Sequence, residues 1–487
     1  MLSRLIVRSV AIGILITLLI GALCTPTALA DSPPGSTYTV QPGESLSQLA
    51  QRFLGDSSAW IRIVEATNTK AETDPSFATI QDPQGISVGQ VVWIPITGVT
   101  PSRPWTEMTL SSQHLSEPLT PIVGKVLYPV TPLPMSDGKV HLVYDLALTN
   151  WSAQPVTLDK FKILDPQQAD SVLTEWDQGK ITARLEHKDA HTNGSTLAIG
   201  ETAVLLVELA VPADKVPESL SHELDFDPPV KAPGADIDGQ ILPGVVVSGE
   251  AVVIGLPFEG DGWLAMELLD DSLPGSEAAS HHRIGVFAVG NELIVPQRFA
   301  IDWLRVDAEG NLHNGDPGRA EDYVGYGTPM LAVADGIILE AVDKYPDTAL
   351  PFDAAAQSFT LDNIAGNHII LDIGNGSYVL YAHLKPGSVT VQPGDTVSRG
   401  QVLGELGQSG NSTAPHLHFH VMDTPSPTGL GGQGVAYVFD SFVDHGLGQF
   451  SLGEGDTLSY ALPDPLPVQP RQNQLPLNLA TIAAVSH

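Results

Sequence analysis

Residues 416–423 read HLHFHVMD, and residues 366–384 read GNHIILDIGNGSYVLYAHL. In the first stretch His416, His418 and His420 alternate with Leu417, Phe419 and Val421. Period-2 alternation is the pattern of a β-strand, so the imidazoles share one face and the apolar side chains the other. The second stretch holds two such runs joined at Asn375-Gly376, a pair suited to a tight hairpin because both residues tolerate positive φ. Between them VQPGDTVSRGQVLGELGQSG, residues 391–410, adds turns and another strand. The spacing predicts a sheet-rich domain over 245–462. The Pro- and Gln-rich residues 463–487 follow as a tail that either closes the sheet or hangs free.

Upstream, KVHLVYDLALTN, VTLDKFKILD and TAVLLVELAVP alternate in the same way between turn signals. They predict an antiparallel, immunoglobulin-like β-sandwich over 118–230. Its histidines (His141, His187, His191, His222) are scattered, and the domain reads as a spacer. The Pro- and Gly-rich stretch Pro228 to Gly244 reads as a connection, and residues 98–117 as a Pro/Ser/Thr-rich linker. Residues 38–97 read as strand, helix, helix, strand, with Ser45 capping a helix whose face carries Leu46, Leu49, Ala50 and Phe53. The fold class expected is mainly β, with one small βααβ module.

Arg4 and Arg8, the apolar run Val10 to Cys24 and Ala28-Leu29-Ala30 have the form of a signal peptide over 1–30, which implies export to the cell envelope or beyond. Cys24 is the chain's one cysteine and would leave with that segment, so the exported protein rests on packing without disulfides. The net charge of −33, from 23 Lys+Arg against 56 Asp+Glu, argues against nucleic acid and anionic lipid as partners.

Neutral imidazole is the commonest protein ligand for zinc, and a catalytic zinc takes about three protein donors and one open position. Such an ion lowers the pKa of a water toward ~7 and polarises a carbonyl, while a nearby histidine moves protons.

Two resemblances sharpen this reading. YTVQPGESLSQLAQRFLGD (38–56), IVEATN (63–68) and ISVGQVVWIPI (86–96) resemble a lysin motif (LysM) module, which implies binding to N-acetylglucosamine-containing glycan such as peptidoglycan. AIDW (300–303), YGTPMLAVADGIILEAV (326–342), GNHIILDIGNGSYVLYAHL and SGNSTAPHLHFHVMD (409–423) resemble the lysostaphin-type zinc endopeptidases of bacterial cell-wall peptidoglycan. That likeness implies Zn²⁺ as cofactor, Asp302 and His418 as metal ligands, and His383 and His416 as the catalytic pair. It also implies stem or cross-bridge peptides of peptidoglycan as substrate.

The chain departs from the family at one decisive position. Four residues before Asp302 the family has a ligand histidine, and this chain has Arg298. A guanidinium stays protonated and offers no lone pair to a metal. His420 is the preferred replacement, because strand geometry gives it the face of His418; His281, His282, His313 and His368 are the others available. If none completes the set, the alternative is an inactive peptidase-like protein that binds peptidoglycan or activates a partner hydrolase. Pairing of Arg298 with Asp302 would mark that case.

Overall fold

The computed structural model describes residues 35–485 apart from 42–44, 55–59, 72, 81–85, 96–118, 169–170, 189–193, 233–234, 267–279, 354–356, 427 and 453–457. The expected signal segment 1–30, the whole of the linker 98–117, and His191 lie outside the described residues. Among the described residues no helix is long and apolar enough to cross a membrane. The chain divides into two compact units, Met1–Ser116 and Glu117–His487.

In the first unit, strand Gly35–Thr39 pairs antiparallel with Val91–Pro95, and helices Leu46–Leu54 and Trp60–Ala71 lie between them in sequence. Ser45 Oγ accepts from the Gln48 amide, while the Gln48 side chain accepts from the Ser45 amide. This reciprocal pair satisfies two amide donors at the helix start. Leu46, Leu49, Ala50, Ile63, Val64, Val92 and Ile94 form the core. Phe53 stays at the surface, against Tyr38. The long stretch after Asn68 is tied back by the Asn68 side chain, which bonds both the amide and the carbonyl of Ile80.

The second unit begins with two antiparallel sheets. One contains Ile122–Val126, Pro132–Pro134, Lys139–Asn150, Leu185–Glu186 and Thr202–Pro212. The other contains Val156–Asp165, Ser171–Trp176, Thr196–Leu197, Ser219–Ala232 and Ala235–Val246. Tyr144, Leu146, Leu148, Leu205 and Val207 of the first pack on Leu158, Phe161, Ile163, Leu220 and Leu224 of the second. The Pro/Gly-rich stretch expected as a connection is instead paired strand. Val230 and Leu242 join the sandwich core, and the ladder breaks its register between Asp225 and Val230, where Pro228 and Pro229 cannot donate.

The first sheet of the sandwich is covered on both faces. Outward-facing Ala147, Val204 and Leu206 pack on Val286 and Val295, and Val143 joins the core of the next sheet. The spacer reading therefore gives way to a docked layer. Within that layer His141 touches Glu208 at 2.8 Å and Asp137 at 3.3 Å. His187 bonds Glu201 and the Gly194 carbonyl, and His222 bonds Tyr144, so the described sandwich histidines have structural partners.

The remaining chain builds an 11-stranded sheet, the described strands running Val252–Ile254, Tyr437–Leu447, Ala480–Ala483, Trp263–Met266, Ile301–Arg305, Leu417–Met422, Tyr378–Leu384, Asn367–Asp372, Gly336–Val342 and Thr396–Val397, with Gln469–Gln474 beside Tyr437–Leu447. Residues 463–487 are thus no tail: Leu475, Ala480 and Ile482 are buried, and Ala480–Ala483 pairs on both sides. The Asn375-Gly376 hairpin forms as read, with φ of 54° and 71°.

Burial pushes the pKa of His141 down, but its hydrogen bonds to Asp137 and Glu208 outweigh this and raise it to about 9. A raised folded value stabilises fully below the ordinary pKa near 6.5 and is lost as pH rises through about 9. His141→Gln should therefore cost on the order of 2–3 kcal/mol at pH 6 and much less at pH 9.5. Thermal melts of both chains at the two pH values check this, and an equal loss at both would remove the charge from the explanation.

Candidate metal centre

Three adjacent strands position the site. Asp302 on Ile301–Arg305 stands directly opposite His418 on Leu417–Met422, and His418 stands opposite Ala382 on Tyr378–Leu384. Opposed residues on one sheet face have Cβ atoms about 5 Å apart, so register alone brings the carboxylate and imidazole together. Asp302 Oδ1 and His418 Nδ1 lie 2.8 Å apart. His383, one residue after Ala382, belongs to the other face of a regular strand. Its φ of 63° and a register shift against Asn367–Asp372 turn it back. A non-glycine residue held there costs about 1–3 kcal/mol and needs its surroundings to impose it. The imposing contacts are the His383 amide to the Ala365 carbonyl, 3.0 Å, and ring Nδ1–H to the Ser409 carbonyl, 2.8 Å. The result places the His383 ring 4.8 Å from that of His416 and 5.9 Å from that of His418, centroid to centroid.

The third donor comes from the turn that follows Ser280. His282 Nε2 lies 3.4 Å from Asp302 Oδ1, and its ring meets His418 edge to face at 4.9 Å. His282, Asp302 and His418 each offer a ligand atom, all within 4.8 Å of one another. Two imidazole nitrogens and one carboxylate oxygen, buried and convergent with a pocket in front, fit a zinc ion with an open coordination position. Arg298 faces away. Its Nε donates to Asp145 of the sandwich, and its other nitrogens donate to the Gly434 carbonyl and the Gln433 side chain.

His420 does not take the place of the missing ligand. It lies behind His418, its Nδ1 3.0 Å from His418 Nε2. Strand geometry gave its direction correctly, but residues i and i+2 are ~7 Å apart along a strand, and the group that converges with Asp302 and His418 is His282. With His418 offering Nδ1 to a metal, His420 is the acceptor for its Nε2–H, the outer-shell bond that orients a ligand histidine. His313 bonds the Gly315 carbonyl and His368 the Gly366 carbonyl; neither lines the pocket. His281 lines it but is exposed. The signal for His282 in the sequence was the pair His281-His282 upstream of a position that had lost its lone pair. Which of the two turns inward depends on the fold.

The pocket measures about 460 Å³ and is walled by His282, Asp302, His383, His416 and His418 together with apolar Ile284, Phe287, Leu380 and Leu430. His416 Nδ1–H is held by the Ala414 carbonyl at 2.7 Å, and its Nε2 stands 3.5 Å from Asp302. Burial pushes the Asp302 carboxyl up, yet the charges of His416 and His282 and hydrogen bonds with His282 and His418 hold it well below the usual range. Burial pushes His383, His418 and His420 down, and neighbouring imidazoles add to this, so each favours the neutral, lone-pair form that a ligand or base requires.

Residues 38–64 match the LysM domain, and residues 322–429 match Peptidase family M23, a span that holds His383, His416, His418 and His420 and begins after Asp302. Peptidoglycan DD-endopeptidase ShyC of Vibrio cholerae is 23% identical over 55% of this chain and 57% of its own length. Peptidoglycan DD-endopeptidase ShyA of the same organism is 40% identical over 20% of this chain and 18% of its own length. The chain therefore spans between about a fifth and somewhat over half of these relatives' lengths. The catalytic domain of lysostaphin from Staphylococcus simulans is 24% identical, covering 29% of this chain and 77% of that one, with a TM-score of 0.18. The chain thus carries a LysM domain and a Peptidase family M23 domain.

Proposed function

We propose that the protein is an exported peptidoglycan endopeptidase, a zinc-dependent hydrolase of cell-wall peptide bonds held to glycan by its LysM module. The observation that carries this reading is the convergence of His282, Asp302 and His418 in a pocket that His383 and His416 also face. The named activities of the two Vibrio relatives and the family of the matched domain support the reaction class. In this reading residues 1–30 direct export, 38–97 bind glycan, and the sheet-rich region beginning near 245 carries the chemistry. The segment after 463 belongs to that region, and the sandwich, extended to about 246, supports it.

Asp302, His418 and His282 would hold the metal. When bound, zinc supplies Lewis acidity, polarising the scissile carbonyl and lowering the pKa of a water toward ~7. The chain's own groups do the rest. His383 and His416 have Nδ1–H committed to the Ser409 and Ala414 carbonyls, so both present Nε2 to the pocket. One accepts the proton of the attacking water, and the other, protonated, donates to the developing oxyanion. Ile284, Phe287, Leu380 and Leu430 exclude water from the peptide and lower the local dielectric, which strengthens these interactions. The pairing of Arg298 with Asp302 that would favour the inactive alternative does not form, since Arg298 Nε bonds Asp145; the alternative itself turns on whether His282 completes the set.

Protein purified without added metal should contain near one zinc per chain by elemental analysis. His418→Ala should abolish both the zinc and hydrolysis of peptidoglycan. Absence of zinc even after reconstitution would leave the binding-protein alternative standing. His383→Ala and His416→Ala should each lower kcat by about 10²–10⁴ while zinc content stays at the wild-type level, because these residues move protons rather than hold the ion. Parallel loss of zinc in either variant would make it a ligand. Deleting residues 38–97 should preserve hydrolysis of soluble wall fragments and reduce retention on insoluble sacculi, since tethering acts through local concentration. A pull-down with intact sacculi measures this, and undiminished retention would remove the module from the tether.

A further inference from the structure

Of the groups that make up the metal centre, four sit on or at the ends of the central strands: Asp302, His383, His416 and His418. His282 is different. It lies on a turn whose backbone bonds among the described residues are local, from the Arg283 and Ile284 amides to the Ser280 carbonyl and from the Val286 amide to the Ile284 carbonyl. A ligand donor must be held to about 0.5 Å, which a turn does not do unaided.

The neighbouring residue supplies the restraint. Arg283 is fully buried, and its Nη2 donates to Asp145 Oδ1 at 3.1 Å, to the Val207 carbonyl at 3.2 Å and to the Tyr144 carbonyl at 3.3 Å. All three acceptors belong to the two central strands of the sandwich's first sheet. Asp145 is fully buried, and its second oxygen accepts from Arg298. Close to Arg283 in sequence, Val286 packs with Ala147, Val204, Leu206 and Val295 in one buried apolar cluster across the same interface.

We propose that Asp145 is a positioning residue for the metal centre: through Arg283 it sets His282, so the third donor is delivered by the sandwich and not by the peptidase sheet. This rests on the reading of His282 as a metal ligand. It follows that the sheet bearing Asp302 and His418 is an incomplete metal site without the docked sandwich layer.

The test is zinc affinity of the full-length chain, measured by competition with a chromophoric chelator, together with the d–d absorption of the Co²⁺-substituted protein and far-UV circular dichroism. His282→Ala checks the underlying reading and should weaken zinc by more than 100-fold. Asp145→Asn and Arg283→Lys should each weaken it by about 10–100-fold, the range for groups that orient a ligand, and change the Co²⁺ band. Arg283→Lys keeps the charge balance of the cluster and decides the matter where Asp145→Asn is poorly folded. If these two variants bind zinc as the wild type does while His282→Ala loses it, the positioning role is wrong and the ligand stands. If His282→Ala binds zinc normally, the ligand assignment falls and the proposal with it.

Discussion

A single buried carboxylate, Asp145, holds two buried arginines. It accepts from Arg298 with one oxygen and from Arg283 with the other. Glu208 lies 3.9 Å from Arg283 and binds His141, which also meets Asp137. With His141 protonated, three anions face three cations. Such a cluster is tolerated in an apolar setting only because it is internally balanced and hydrogen-bonded, and removing one member costs ~3–5 kcal/mol by stranding its partner. It ties the sandwich to both Arg298, ahead of the Asp302 strand, and the turn that carries His282, while Leu133, Met135 and Val143 join the two parts elsewhere.

The same cluster accounts for the family departure at Arg298. A guanidinium beside a metal site would repel the ion or neutralise Asp302. Here its charge is spent on Asp145 and its remaining donors on Gly434 and Gln433. Asp302 is left to the imidazoles, which draw its pKa well below the usual range against the effect of burial. Position 298 thus has a structural part, and in the proposed reading the donor comes from His282 on the turn.

Within the sheet, register and one strained residue make the centre. Asp302 meets His418 because they are opposed in the ladder, and His383 reaches the site because its backbone is bent into the left-handed region. The carbonyls of Ser409 and Ala414 then choose the tautomers of His383 and His416. His420 serves from behind, as a partner of His418.

Period-2 alternation, turn residues and a helix-capping serine were enough to determine from sequence that the chain is mainly β with a βααβ module, because these signals are local. The facing of His416, His418 and His420 was legible for the same reason, and the loss of a donor at Arg298 followed from the chemistry of one side chain. Asp145 and Glu208 stood in plain sight as acids within apolar strands, yet nothing local says what lies against the outer face of a sheet. Whether residues 469–474 and 480–483 close the main sheet was left open, since a Pro-rich stretch reads the same whether or not a strand edge awaits it. In the proposed reading the third donor is a matter of tertiary structure alone. His282 and His420 are equally good ligands as residues, and the choice between them is a matter of which one the packing of the sandwich brings beside Asp302.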